Sequence, residues 1–104
     1  MLNNRLIKQL TSFGLTRQQA KLYLAGLSLG ECLMAHLAKT AGVKRSSAYY
    51  AIDELQRRGF FSIKRKGKRI FYKAASPEQL IKMTEARLKE VMKLYPSFKR
   101  LTND

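Results

Sequence analysis

The sequence is poor in the residues that build disulfides, metal centres and membrane spans. It holds one cysteine, Cys32, and one histidine, His36. A lone cysteine excludes an internal disulfide and any cysteine-rich zinc site. Two soft ligands do not make a metal centre, so no metal is expected. No apolar run approaches the ~20 residues of a membrane-spanning helix. The start, "MLNNRLIKQL", is too polar for a secretory signal. No nucleophile–base set or phosphate loop is visible, so neither an enzyme nor a cofactor is expected. The expectation is a soluble intracellular protein, cytoplasmic and, in a prokaryote, nucleoid-associated.

Acid is also scarce. Asp and Glu number 7 against 21 Lys and Arg, a net charge of +14 and a pI near 10.4. A chain this basic attracts polyanions, whether DNA, RNA, acidic lipid or an acidic protein. With 104 residues, 45% of them hydrophobic, it has room for one small domain with a core. The charge is uneven. Residues 60–75 carry six basic residues and no acid, whereas residues 76–104 mix six basic with four acidic.

Residues 2–12 place Leu2, Leu6, Ile7 and Leu10 at helical spacing. After "FGLT", Thr16 and Gln19 form a capping box that opens a second helix. That helix runs to about Ser28, with Ala20, Tyr23, Leu24 and Leu27 on one face and Gly30 as its stop. A short strand is expected at 31–33, then a short helix at 34–41 with Leu37, Ala38 and Ala41 inward. Gly42 and Val43 make a turn into a helix at 45–58, with Ala48, Ala51, Ile52 and Leu55 inward and Gly59 as its stop.

Two β-prone runs follow, "FFSIK" and "RIFYKA", separated by Lys66-Gly67-Lys68. This is a hairpin signal, with Phe61 and Ile63 sharing a face with Ile70 and Tyr72. "SPEQ" at 76–79 supplies an N-cap, a proline at the first helical position and a capping box. The helix it opens is expected to reach about Tyr95, where Pro96 ends or kinks it. Ile81, Leu88, Val91, Tyr95 and Phe98 alternate three- and four-residue steps, close to a heptad seam for dimerisation.

A short helix joined through "AGV" to another helix is a helix-turn-helix, and the hairpin after it is a wing. The fold expected is mainly α (α+β), a winged helix-turn-helix with a two-stranded wing and a long C-terminal helix. Residues 1–76 would form the DNA-binding domain, with the helix-turn-helix at 34–58 and the wing at 60–74. Residues 77–104 would form the dimerisation helix and tail. The first turns of the 45–58 helix offer Lys44, Arg45, Ser46, Ser47, Tyr49 and Tyr50 to a major groove. There hydroxyls bond phosphates or base edges, and Arg binds guanine through two bonds. The wing offers Lys64, Arg65, Lys66, Lys68 and Arg69 to the backbone or the minor groove.

"GLTRQQAKLYLAGLSLGE", "LAKTAGVKRSSAYYAIDELQRRGFF" and "GKRIFYKAASPEQLI" together resemble the N-terminal domain of the TrmB family of transcriptional regulators. The likeness covers roughly residues 10–90. It implies a dimeric winged helix-turn-helix on operator DNA, with Arg45, Ser46, Ser47 and Tyr49 in the recognition helix and Lys66–Arg69 in the wing. Full-length members usually continue into a sugar-binding effector domain. This chain stops about thirty residues after the wing, so no sugar site carries over and no small-molecule effector is evident. His36 is expected at the surface and Cys32 as a small buried filler. Asp53 and Glu54, adjacent on a helix, do not face each other and make no acid–base pair. The expected function is sequence-specific binding of double-stranded DNA by a homodimer, with repression as its expected role. The alternatives are a non-specific DNA-coating chromatin-type protein and a winged-helix protein–protein adaptor. Coating proteins use aromatic stacking platforms that are not obvious here. Adaptors usually lack both a basic recognition helix and a basic wing.

Overall fold

In the computed structural model, residues 3–103 are described, so Leu2, expected on the apolar face of the first helix, lies outside them. The order is α1 (Asn4–Ser12), α2 (Arg17–Leu29), α3 (Met34–Ala41), α4 (Arg45–Arg57), β1 (Phe61–Lys66), β2 (Arg69–Ala74) and α5 (Pro77–Leu101). Local chemistry sets most of these bounds. Asn3 caps α1 through its side chain. Reciprocal capping boxes open α2 at Thr16–Gln19 and α5 at Ser76–Gln79.

The core lies where α2, α3 and α4 meet the root of the hairpin. Leu22, Leu37, Ile52 and Leu55 are its largest fully buried members besides Ile7. Each such side chain contributes about 1.5–3 kcal/mol by leaving water. Tyr23 joins the parts. Its ring meets Phe60 and Phe61 edge-on at 5.7 and 6.3 Å, and its hydroxyl donates to the Ala75 carbonyl at 2.7 Å. One residue of α2 thus holds the wing root and the approach to α5.

Three expectations need correction. In α2, Leu27 is exposed while Leu22 and Ala25 are buried. The helix is covered on more than one side, so a single apolar face misplaces them. The strand at 31–33 contracts to one antiparallel bridge, Cys32 to Tyr72, with N–H···O distances of 3.0 and 2.8 Å. Finally, α5 does not end at Tyr95 but continues through Pro96 to Leu101. Proline removes one donor to the carbonyl four residues back, here Met92. Met92 is well exposed, so this end of the helix lies at the surface, where solvent can reach the backbone. No helix among the described residues is long and apolar enough to cross a membrane.

Candidate nucleic-acid interface

The turn between α3 and α4 rests on Gly42, whose φ of 69° is left-handed. Its N–H and that of Val43 return to the last turn of α3, Val43 to Ala38 at 3.0 Å. Val43 is buried, which fixes the angle at which α4 leaves. Ala48, Ile52 and Leu55 then seat α4 on the core.

Lys44, at the N-cap of α4, makes no side-chain cap bond, and no acid lies in the first turn. The first backbone N–H groups therefore remain available to an anion, and the helix dipole favours one there. Around this end Lys44, Arg45, Ser46, Tyr49 and Tyr50 are exposed and Ser47 is half-buried. Tyr50 is 83% exposed against 45% for Tyr49, so it is the freer of the two phenols to reach a groove. Arg45 lies over the Tyr49 ring, 5.9 Å from its centroid.

The hairpin ladder pairs Phe61 with Ala74, Ile63 with Tyr72, Arg65 with Ile70 and Lys66 with Arg69. Gly67, with φ of 63°, and Lys68 form the turn. A left-handed first residue followed by an ordinary second one is the II′ pattern, which suits the twist of paired strands. Directly paired residues share a face. One face therefore carries Phe61, Ile63, Arg65, Ile70, Tyr72 and Ala74. Two of these, Ile63 and Tyr72, line a cleft of about 350 Å³ against Ser46, Tyr49, Tyr50 and Asp53 of α4. Burial, with Tyr49 nearby, pushes the Tyr72 phenol up, and Arg45 opposes this.

The five wing cations consequently part company. Arg65 stands on the face that looks to α4, Lys64, Lys66 and Arg69 on the opposite face, and Lys68 in the turn. Lys73 shares the face of Lys64, a sixth cation that reasoning from the charge run alone misses. Period-two alternation from Arg69 through Phe71 places it there. Lys66 is not free. Its ammonium donates to Glu31 Oε2 at 2.7 Å and lies 5.2 Å from the Phe71 ring centroid.

None of the residues in α5 is buried. Ile81, Leu88, Val91, Tyr95 and Phe98 are each half or more exposed, as are Met92 and Leu101. The first half of the helix borders an apolar groove of about 470 Å³, walled by Leu10, Phe13, Phe60, Leu80 and Met83. The single residues behave as expected. His36 is exposed and Cys32 buried, with burial pushing its thiol up. Asp53 pairs with Arg57 one turn on rather than with Glu54.

A family model for the sugar-specific transcriptional regulator TrmB matches residues 10–78. The chain belongs to the TrmB family. A TrmB-family relative, the HTH-type sugar sensing transcriptional regulator TrmBL1 of Pyrococcus furiosus, is 28% identical over 97% of this chain but only 30% of its own length. The chain thus spans about a third of that relative. Among solved structures, TrmBL2, an archaeal chromatin protein, superposes with a TM-score of 0.82 at 22% identity, over 95% of this chain and 38% of the other. A possible transcriptional regulator from Methanosarcina mazei gives 0.67 at 14% identity, over 86% and 82%. These likenesses establish the winged-helix fold.

Proposed function

We propose that this chain binds double-stranded DNA sequence-specifically as a homodimeric repressor. Residues 1–76 are the DNA-binding domain and residues 77–104 the dimerisation helix and tail. Support comes above all from the uncapped start of α4, with Lys44, Arg45 and Ser46 exposed beside an acid-free basic hairpin. Ser46, Ser47, Tyr49 and Tyr50 enter the major groove with them, and Lys64, Arg65, Lys68 and Arg69 engage the backbone or minor groove. Ile81, Leu88, Val91, Tyr95 and Phe98 close the dimer, setting two recognition helices about one DNA turn, ~34 Å, apart. The protein acts without enzymatic chemistry, in the cytoplasm on the nucleoid. Sugar sensing is a property of TrmBL1, and no sugar site is assigned to residues 1–104.

Titration against genomic fragments at two salt concentrations tests this. Neutralising on the order of 6–10 phosphates costs ~10³–10⁵ in affinity between 50 and 200 mM salt. A preferred fragment that survives the higher salt is expected. Equal affinity for all fragments would instead favour DNA coating, a reading supported by the chromatin protein among the structural neighbours. No binding to any fragment would favour an adaptor.

A further inference from the structure

We infer that Glu31 is a positioning residue that withdraws Lys66 from the phosphate-contacting set of the wing. This rests on the proposal that the wing meets DNA. Lys66 immediately precedes the turn, where a cation would ordinarily extend toward a polyanion. Instead its side chain runs back along the hairpin, over Phe71, to reach Glu31. Glu31 is itself held in place. The next residue, Cys32, is bound to Tyr72 through both backbone groups, so the segment before α3 acts as a third rung beside β2. Phe71 lies on the same face as Lys66 and Lys73 by register. Hydrogen bonding from Lys66, aided by the charges of Lys66, Lys64 and Lys73, holds the Glu31 carboxyl below its ordinary range.

An exposed ion pair alone is weak, and a phosphate would compete for either partner. Two features favour the intramolecular pair. The carboxylate is tethered by the bridge rather than by a flexible loop, and the ring beneath the ammonium adds a second attraction. The result is a wing whose clamp consists of Lys64, Lys68 and Arg69 at one side and tip, with Arg65 toward α4. Lys66 acts as a strut between the hairpin and the start of α3.

The slope of log affinity against log salt distinguishes strut from clamp, because each phosphate contact contributes about 0.9 to it. The full chain is titrated with a double-stranded fragment. Lys68→Gln is expected to lower the slope by ~0.9, equivalent to about a 3.5-fold change across a fourfold range of salt. Lys66→Gln should leave the slope at the parental value. Glu31→Gln should raise it by ~0.9, since Lys66 is then released to phosphate. The double variant Glu31→Gln with Lys66→Gln should restore the parental slope, and Lys66→Arg should keep it. A Lys66→Gln slope that falls as far as that of Lys68→Gln overturns the inference, as does an unchanged slope for Glu31→Gln. If Lys68→Gln also leaves the slope unchanged, it is the wing's contact with DNA that fails. The exchanged side chains are exposed, so the variants retain the core.

Discussion

Gly26 sits in the interior of α2, where glycine costs about 1 kcal/mol relative to alanine. Exchange for alanine at an open helical site would therefore stabilise. Here an added Cβ would lie 2.7 Å from Phe61 Cζ and 2.9 Å from both Phe61 Cε1 and Ala74 Cβ. The Phe61 ring cannot swing aside cheaply, being buried and held edge-on by Tyr23. Ala74 Cβ moves only with its backbone. Overpacking of this kind costs about 1–3 kcal/mol. The clash should outweigh the gain in helix propensity, and Gly26→Ala should lose on the order of 1–2 kcal/mol. For a domain of this size each kcal/mol lowers Tm by about 4–8 °C. Phe61 and Ala74 are also the first pair of the wing ladder, so the displaced contact should tilt the wing. Thermal unfolding followed by circular dichroism measures the first effect. DNA titration well below Tm measures the second. A variant more stable than the parent, with unchanged affinity, would refute the close approach of α2 to the hairpin.

Arg45→Ala should weaken a preferred site by about 1–3 kcal/mol and random DNA by less, as lost guanine readout requires; an equal loss on both would make Arg45 a phosphate clamp only. Leu88→Glu with Phe98→Glu should turn a dimer into a monomer in light scattering at micromolar concentration, and a parent already monomeric there would remove the α5 seam. Burial, followed by the charge of Glu78, pushes the Tyr23 phenol up to about 12 from an ordinary 10. The folded state therefore holds the proton more tightly, and the associated stability is present below pH 10 and lost as pH rises through 12. Tyr23→Phe should cost about 1–3 kcal/mol at neutral pH by orphaning the Ala75 carbonyl, and should flatten the alkaline decline; an identical decline in both proteins would show that another group titrates.

Features written in local chemistry were legible in the sequence. Thr16 with Gln19, Ser76 with Gln79, and Gly67 between two β-prone runs each fix an element through bonds a few residues apart. So was the division of α4 into a buried face and an exposed start, because helical period alone separates them. Contacts that depend on distant partners were not. Gly26 reads as a flaw in a helix until Phe61 and Ala74 are brought against it. Lys66 reads as one cation of five until Glu31, 35 residues earlier, closes on it. Leu22 and Leu27 exchange roles because α2 is enclosed by several elements, where one apolar stripe no longer describes the burial. Pro96 misleads for the opposite reason. On a helix without buried residues, losing one backbone donor leaves no group sealed away from solvent, and the helix carries on.

The helical core with its wing and α5 are held by different means. Tyr23 binds Phe60, Phe61 and the Ala75 carbonyl, so α4 and the wing root share one rigid core with α2. In the proposed complex, the distance between the start of α4 and the hairpin would thereby be set before DNA arrives, which would reduce the ordering cost of binding. By contrast, α5 leaves that core through the Ser76 cap and meets it again only near Leu80 and Met83. Leu80 packs partly against the core, and Met83 approaches Gly59 so closely that a Cβ there would lie 3.0 Å from its sulfur. In the proposed dimer these few contacts set the direction of α5 relative to the recognition helix. In that dimer, affinity for one half-site would belong to the core and the wing, while half-site spacing would follow from the contacts of Leu80 with the core and of Met83 with Gly59. Gly59, with φ of 87° at the exit of α4, stands at the point where the two are joined.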